Sequence, residues 1–367
     1  MHVKIGYSNV AAVHLERSPR VLVTGATGFV GSRLVRTLID RGYETYAIAR
    51  SAERLVEIVG RSPGDRFTIL EGDLLKDADI AQLERDFATQ TKDLDFVIHL
   101  VGGGPLTSNP AFAKQITDLN YTATVNLLRV LEKTDKLSSI TLFVYFSSLA
   151  AMGMPVSKEY RILYSEATAC NPALPYERAK LDTENLLRET AIRHNLKTLI
   201  LRLPQIYGGA NDPLVDIVNL MKKGVFPVVR KRVGSLPLIH VDDVVKAVGT
   251  VIENHERISA LSEINLLCEK SYGYDDLAKM VRHKYGKGGI LKLPFWVLYA
   301  SIWAVEVLSA VLGRPEPINR RRLLSMTKDR VIDCRMFVDT FGFKFDHDLE
   351  SFLTNELGSQ AAAAVKG

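Results

Sequence analysis

The 367-residue sequence contains few of the residues that build metal centres or disulfide frameworks. It has three cysteines, Cys170, Cys268 and Cys334, which lie far apart and show no short Cys/Cys or Cys/His spacing. An odd, sparse set of cysteines argues against a disulfide framework and is typical of a reducing compartment. We therefore expect no metal site and a cytoplasmic location.

The sequence also lacks the signals of secretion and of nucleic-acid binding. Its first twenty residues carry no long apolar run and do not resemble a signal peptide. The formal net charge of +5 is small for this length, and no nucleic-acid-binding motif is present. We therefore expect no nucleic-acid partner. A mildly basic surface is equally compatible with an anionic ligand or an anionic membrane.

The first half of the chain alternates between apolar strands and segments with helical spacing. Runs such as RVLVTG, ETYAIAR, FTILEGD and DFVIHLV read as strands, and helices are expected in between, one of them within 114–133. Strands that are apolar throughout are expected where helices cover both faces of a sheet. The pattern predicts an α/β fold with a Rossmann-like, doubly wound parallel sheet.

After about Gly208 the predicted elements become shorter and more mixed, which indicates a smaller mixed α/β C-terminal cap that binds the substrate. The chain is assigned to an N-terminal extension (1–19), a nucleotide-binding domain (20–207), a cap whose segments interleave with the sheet (208–357) and a flexible tail (358–367).

Three glycines, Gly25, Gly28 and Gly31, lie between the first predicted strand and the first predicted helix. Glycine permits a tight turn and lets a pyrophosphate approach the backbone N–H groups at a helix N-terminus. A glycine triplet alone is also found in simple packing turns. The flanking strand and helix favour dinucleotide binding here.

The residues at the ends of the second and third strands bear on which dinucleotide binds. The second strand ends in Arg50, where a carboxylate would bind the ribose 2′-hydroxyl of NAD. A guanidinium suits the 2′-phosphate of NADP, so we expect NADP to be preferred over NAD, although a solvated arginine is the alternative. Asp73 is a candidate acceptor for the adenine amino group or a simple turn carboxylate.

Tyr176 and Lys180 lie four residues apart on one face of a predicted helix. A phenol with a pKa near 10 is a poor base at neutral pH. A nearby ammonium and the positive charge of a nicotinamide would lower that pKa. Ser148, at the end of the fifth strand, is placed to bind the substrate oxygen. These three side chains predict a proton relay for oxidising a secondary alcohol or reducing a ketone.

The chain resembles the extended short-chain dehydrogenases/reductases of the NAD-dependent epimerase/dehydratase superfamily. The matching stretches occur in the family's order: TGATGFVG (24–31), GDLL (72–75), HLVGGG (99–104), LNYTATVNLL (119–128), FSSLAAMG (146–153), YERAK (176–180), LRLPQIYGG (201–209) and IHVDDVV (239–245).

The resemblance implies that Ser148, Tyr176 and Lys180 form the catalytic triad and that Asn120 orients Lys180 through a water molecule. The cofactor contacts it implies come from Gly25, Thr27, Gly28, Phe29, Val30, Gly31, Arg50, Asp73, Leu74, Leu100, Val101, Gly102, Ser147, Tyr176, Lys180 and Pro204.

Two departures from the family pattern favour an oxidoreductase that exchanges its cofactor. Met152 stands where many sugar-nucleotide enzymes carry a tyrosine, and Arg50 replaces the acidic residue common in epimerases that retain NAD. We expect hydride transfer to or from a secondary alcohol or ketone, acting on a small-molecule substrate. A nucleotide-sugar epimerase or dehydratase is one alternative, and a non-catalytic NADP(H)-binding subunit of a membrane-associated complex is another.

The segment 294–312 is almost entirely apolar, and Glu306 is its one charged residue. With the residues after it, it is similar to the late region of the 3β-hydroxysteroid dehydrogenase branch, through Glu306, Ser309, Pro315, Asn319 and Arg320. A buried or dimer-forming helix, a helix in the membrane interface and a membrane span are the three interpretations. The first fits a homodimer. The second fits a lipophilic, sterol-like or lipid substrate and peripheral membrane association.

Overall fold

The computed structural model describes residues 17–209 and 212–354. The predicted tail at 358–367 and all but the last three residues of the predicted N-terminal extension lie outside these ranges. The strands are β1 Arg20–Thr24, β2 Glu44–Ala49, β3 Phe67–Glu71, β4 Phe96–His99, β5 Leu142–Ser148, β6 Arg161–Tyr164, β7 Thr198–Leu203, β8 Gln205–Tyr207, β9 Phe226–Val229, β10 Ser235–His240, β11 Ser262–Leu266, β12 Lys270–Gly273, β13 Ile290–Leu293 and β14 Asp329–Ile332.

The α-helices are α1 Phe29–Asp40, α2 Ala52–Val59, α3 Asp77–Gln90, α4 Ala113–Thr117, α5 Ala123–Lys133, α6 Pro175–His194, α7 Pro213–Lys222, α8 Val241–Glu253, α9 Tyr274–Tyr285, α10 Phe295–Val311, α11 Arg320–Met326 and α12 Arg335–Phe341.

Seven strands form the main sheet in the order β11-β7-β5-β4-β1-β2-β3, and every neighbouring pair is parallel. The central strands are buried on both faces because helices cover both sides of the sheet, which explains their continuous apolar runs. One core cluster includes α1, α8 and one face of the sheet, and the other includes α3, α5 and the opposite face. The predicted Rossmann-like fold is confirmed.

The C-terminal half of the chain contributes to both parts of the molecule. Strand β11 joins the main sheet beside β7, and α8 packs against α1. Phe337 and Phe341 of α12 are buried in the same core as β1 and α1. The small sheets β12-β10-β8, β13-β9 and β14-β6, with α7 and α9, build the cap. Cap segments therefore interleave with the sheet.

The helix expected within 114–133 is present, but it is interrupted. Helices α4 and α5 are joined by a π-helical turn at Asp118–Thr122. Apolar periodicity cannot reveal one extra residue in a turn, so the sequence did not show this interruption. Such π turns occur frequently at functional sites, and this one carries the predicted site residue Asn120.

The apolar segment forms α10, and only Leu298 and Ile302 of this helix are buried. The interpretation of α10 as a helix buried within its own chain is therefore wrong. No helix in the described part of the chain is long and apolar enough to cross a membrane.

Candidate active site

The glycine loop after β1 makes a close-packed turn that admits no side chains at its critical positions. Gly25 has a positive φ of +71°, which favours glycine. A Cβ at position 31 would lie 2.2 Å from the carbonyl oxygen of Gly25, so α1 can approach the loop only with glycine there. This packing places the N-terminus of α1 directly beside the ends of β1 and β4.

The N-terminus of α1 is built to receive an anion. Its N-cap residue is Gly28, which has no side chain to accept from the first-turn N–H groups, and the first turn contains no acidic residue. These N–H groups carry the positive end of the helix dipole and need an acceptor. The pyrophosphate of a dinucleotide supplies that acceptor, so the loop fits the cofactor that the sequence implies.

A cavity of about 280 Å³ extends from the glycine loop to the ends of β5 and β7. Most of the predicted cofactor and catalytic residues line it, namely Gly25, Gly28, Phe29, Val30, Gly31, Leu100, Gly102, Ser147, Ser148, Tyr176, Lys180 and Pro204. Phe146, Leu203 and Ile206 also line it and were not predicted. Residues that are far apart in the sequence, from Gly25 to Pro204, thus meet at the carboxyl edge of the sheet, where ligands bind in such folds.

Arg50 and Asp73 lie outside this cavity, at the ends of the neighbouring strands. Arg50 is exposed directly after β2, and β2 pairs with β1 through the register Thr24 to Ile48. It therefore stands beside the glycine loop, and its predicted contact with a 2′-phosphate stays a prediction. The Asp73 carboxylate accepts from the Leu75 N–H at 3.0 Å, so it acts at least as a turn carboxylate.

Thr27, Leu74 and Val101 also lie outside the cavity lining. Thr27 is half-buried within the glycine loop. Leu74 is buried, and its carbonyl accepts from Asn126 Nδ2 at 2.7 Å. Val101 is half-buried against the core that contains α3 and α5. Their predicted cofactor contacts stay predictions.

Lys180 is buried at the base of the cavity, and its ammonium is held by the end of β5. Nζ donates to the Phe146 carbonyl at 2.9 Å and to the Tyr145 hydroxyl at 3.2 Å. Burial lowers the pKa of Lys180 to about 8, and the negative charge of Glu184 acts in the opposite direction. The two hydrogen bonds therefore fix the ammonium in place, and burial brings its pKa closer to neutral pH.

Tyr176 lies near both of its predicted partners. A hydrogen bond with Ser148 favours the phenolate, but burial is the larger effect and raises the pKa of Tyr176 to about 12. The Lys180 ammonium is 6.0 Å from the centre of the Tyr176 ring. The expectation that Lys180 and a nicotinamide together lower this pKa stays a prediction, because the causes of the present shift are burial and the Ser148 hydrogen bond. A bound nicotinamide would add a positive charge that favours the phenolate.

Asn120 holds the glycine-rich loop that follows β4. Its amide donates to the carbonyls of Gly103 and Ile116, both at 2.7 Å, and its Oδ1 accepts from the Gly103 N–H at 3.0 Å. A Cβ at Gly102 would lie 2.7 Å from both Asn120 Oδ1 and Lys180 Nζ, so these two groups face the same point. The predicted orientation of Lys180 through a water stays a prediction. In the structure, Asn120 also fixes the position of the loop through its two hydrogen bonds with Gly103.

Glu184 and Arg202 form a buried ion pair beneath the site. The sequence analysis did not predict this pair. Glu184 is 0% exposed and Arg202 3% exposed, and the guanidinium binds the carboxylate through Nε at 3.0 Å and Nη2 at 2.6 Å. The same carboxylate accepts from the Ser147 hydroxyl. Glu184 follows Lys180 by one helical turn, so a charge on the buried face of α6 was the available signal.

His99 was also missed as a site residue, and it links β1 to the Asn120 turn. It is fully buried, with Nδ1 2.6 Å from Thr24 Oγ1 and Nε2 2.8 Å from Thr124 Oγ1. Thr124 donates its proton to the Asn120 carbonyl, so His99 Nε2 donates to Thr124 and Nδ1 accepts from Thr24. Burial lowers the pKa of His99 to about 3, which keeps it neutral.

Comparisons with known proteins show which family the chain is similar to. The NAD dependent epimerase/dehydratase family matches residues 21–266. The UDP-glucose 4-epimerase of Schizosaccharomyces pombe is 28% identical over 67% of this chain and 69% of its own length. A sterol-4-alpha-carboxylate 3-dehydrogenase (decarboxylating) of Dictyostelium discoideum is 26% identical over 55% of this chain and 58% of its own length.

Among solved structures, the UDP-glucose 4-epimerase of Thermotoga maritima with UDP-glucose has a TM-score of 0.69 and 19% identity, and the match covers 94% of this chain and 99% of that one. At this identity the likeness supports the fold. The family match, by contrast, covers the glycine loop, β5 with Ser148, and α6 with Tyr176 and Lys180. The chain therefore belongs to the NAD-dependent epimerase/dehydratase family and is an NAD(P)-dependent enzyme of the extended short-chain dehydrogenase/reductase type.

Proposed function

We propose that the enzyme interconverts a secondary alcohol and a ketone on a lipophilic substrate and prefers NADP(H). The observation that carries this proposal is a second cavity of about 450 Å³ between the sheet and the cap. It shares Ser148, Leu203 and Pro204 with the 280 Å³ cavity beside the glycine loop, so a substrate held there reaches Ser148, the predicted catalytic serine.

The lining of this second cavity, which we call the substrate cavity, favours an apolar ligand. Apolar side chains come from the sheet end and from the cap, among them Leu149, Met154, Ile217, Phe226, Ile318 and Met326. Burial of apolar area contributes about 25 cal/mol per Å², so such a wall binds a hydrocarbon surface and gains little from a sugar. A volume of this size suits a small-molecule ligand.

The chain's own residues supply the proton chemistry. The nicotinamide, when bound, supplies or accepts the hydride. The Ser148 hydroxyl positions the substrate oxygen, and Tyr176 gives a proton to it during reduction or takes one during oxidation. The Lys180 ammonium stabilises negative charge on the Tyr176 oxygen. Asn120 keeps the loop at Gly102 in place beside Lys180.

Three arginines give the substrate cavity a positive charge. Arg321, Arg322 and Arg330 line it, and the one acidic residue among its described lining, Glu177, is paired with Arg321. The buried Nε of Arg330 has no hydrogen-bond partner among the described residues. An apolar substrate that carries a carboxylate or a phosphate would balance this positive charge. The similarity to a sterol carboxylate dehydrogenase supports this class.

These arginines also support a second candidate, a nucleotide-sugar epimerase. A diphosphate would bind guanidinium groups, and several similar proteins are UDP-glucose 4-epimerases. The apolar wall of the substrate cavity favours the first proposal. The exposed Arg50 favours it as well, because a contact with a 2′-phosphate suits NADP(H) that exchanges, whereas an epimerase retains its cofactor through both half-reactions.

Cofactor-binding and turnover assays on the purified enzyme distinguish the two candidates. We expect NADPH to bind more tightly than NADH by calorimetry, and lipophilic ketones in detergent to be reduced with stoichiometric NADPH consumption. The variant Ile217→Glu should abolish this reduction, whereas Ile192→Glu, at an exposed position on α6, should not. Co-purification of NAD that does not exchange, together with conversion of UDP-glucose to UDP-galactose, would refute the proposal and establish the epimerase.

A further inference from the structure

Helix α10 presents a large apolar face to solvent. Trp296, Trp303, Val307, Leu308 and Val311 are all exposed, with exposed fractions of 73% for Trp296 and 78% for Val311. These positions recur at helical spacing and so lie along one side of the helix. Contiguous exposed apolar surface of this kind marks an interaction site in a folded protein.

The opposite side attaches the helix to the cap. Leu298 and Ile302 are buried against Val229 of β9 and Leu323 of α11. The single charged residue of α10, Glu306, is withdrawn from the outward face, because its carboxylate binds the N–H and Nε of Arg320, both at 2.7 Å. The outward face therefore carries no charge that would oppose burial in an apolar medium.

Cations flank the helix in the sequence. Lys292, whose ammonium is 2.9 Å from the Asp275 carboxylate, precedes the helix, and the exposed residue Arg314 follows it. Tryptophan and basic residues around an apolar helical face are the combination that binds at the interface of an anionic bilayer. The helix has 17 residues, about 25 Å at 1.5 Å per residue, and it falls short of the length that would cross the bilayer.

We propose that the outward face of α10 docks on an anionic lipid membrane, with the helix lying in the plane of the interface. Trp296 and Trp303 insert among the headgroups, and Arg314 contacts lipid phosphates. This docking rests on α10 alone and does not depend on the redox reaction. It brings the substrate cavity close to the lipid, because β9 contributes Val229 to the contact with α10 and Phe226 to the cavity wall.

The chain has two tryptophans, and both are on α10, so tryptophan fluorescence reports on this face. Full-length protein is mixed with vesicles of phosphatidylcholine, with or without phosphatidylserine. With phosphatidylserine we expect co-sedimentation, a blue shift of the emission, and quenching by lipids brominated in the acyl chain. Added salt should weaken the binding, since exposed cations contribute to it.

The variant Leu308→Asp with Val311→Asp keeps both tryptophans and should reduce co-sedimentation at least tenfold. A matched control, Val156→Asp with Ile192→Asp, alters two exposed apolar residues elsewhere and should bind vesicles like the wild type. Affinity for NADPH, measured for each variant, shows that the fold is kept. Unchanged emission with no sedimentation would overturn the proposal. So would a wild-type dimer in ultracentrifugation that the first variant makes monomeric, since a second copy would then cover the face.

Discussion

Removing the negative charge of Glu184 should destabilise the enzyme and also change its pH dependence. In the variant Glu184→Gln, Arg202 stays buried without a counter-ion, and breaking a buried pair in this way costs about 3–5 kcal/mol. Unfolding entropy of about 2.1 cal/mol/K per residue over 367 residues makes 1 kcal/mol equal to roughly 1.3 °C. The expected fall in Tm is therefore about 4–6 °C.

The same variant should lower the pKa of Lys180 further. Burial already lowers it to about 8, and the Glu184 carboxylate is the charge that raises it. The ammonium is present below its pKa and is lost above it, so wild-type activity should fall as pH rises through about 8. In Glu184→Gln this loss should begin at lower pH. A purely structural role for Glu184 would leave the midpoint of the pH profile unchanged.

Calorimetric scans and pH–rate profiles of four proteins test this reasoning. Glu189→Gln, at an exposed position on α6, is the matched control and should change neither quantity. Replacing both Glu184 and Arg202 by Met removes the unpaired charge and should recover most of the lost stability. The reasoning is refuted if Glu184→Gln melts within 1 °C of the wild type, or if the double variant is no more stable than Glu184→Gln.

Three further variants probe the site. Tyr176→Phe should lower kcat by about 10²- to 10⁴-fold at unchanged NADPH affinity, measured by stopped-flow kinetics and calorimetry, and near-wild-type turnover would exclude Tyr176 as the acid/base. Arg50→Ala should weaken NADPH binding by about tenfold while leaving NADH binding unchanged, and an equal loss for both would contradict the 2′-phosphate contact. Gly31→Ala should abolish cofactor binding in calorimetry, because its Cβ would lie 2.2 Å from the Gly25 oxygen; Gly64→Ala, with nothing within 4 Å of its Cβ, is the control.

The sequence was sufficient to predict the parts of the protein that depend on short-range spacing. The glycine loop between β1 and α1 needs specific residues within a few positions of one another, and so does the Tyr176–Lys180 pair on α6. The doubly wound sheet follows from the alternation of strands and helices. Local backbone geometry imposes each of these patterns, and so each can be read from consecutive residues.

The tertiary structure decided the features that depend on distant partners. The return of β11 to the main sheet, the pairing of Glu184 with Arg202 and the His99 link to the Asn120 turn each join segments that have no fixed spacing. Burial lowers the pKa of Lys180 and raises the pKa of Tyr176, and in each case it outweighs the opposite effect of the neighbouring polar or charged group. Exposure of α10 followed the same principle, because an apolar helix is buried only where the rest of the chain covers it, and here just Leu298 and Ile302 are covered.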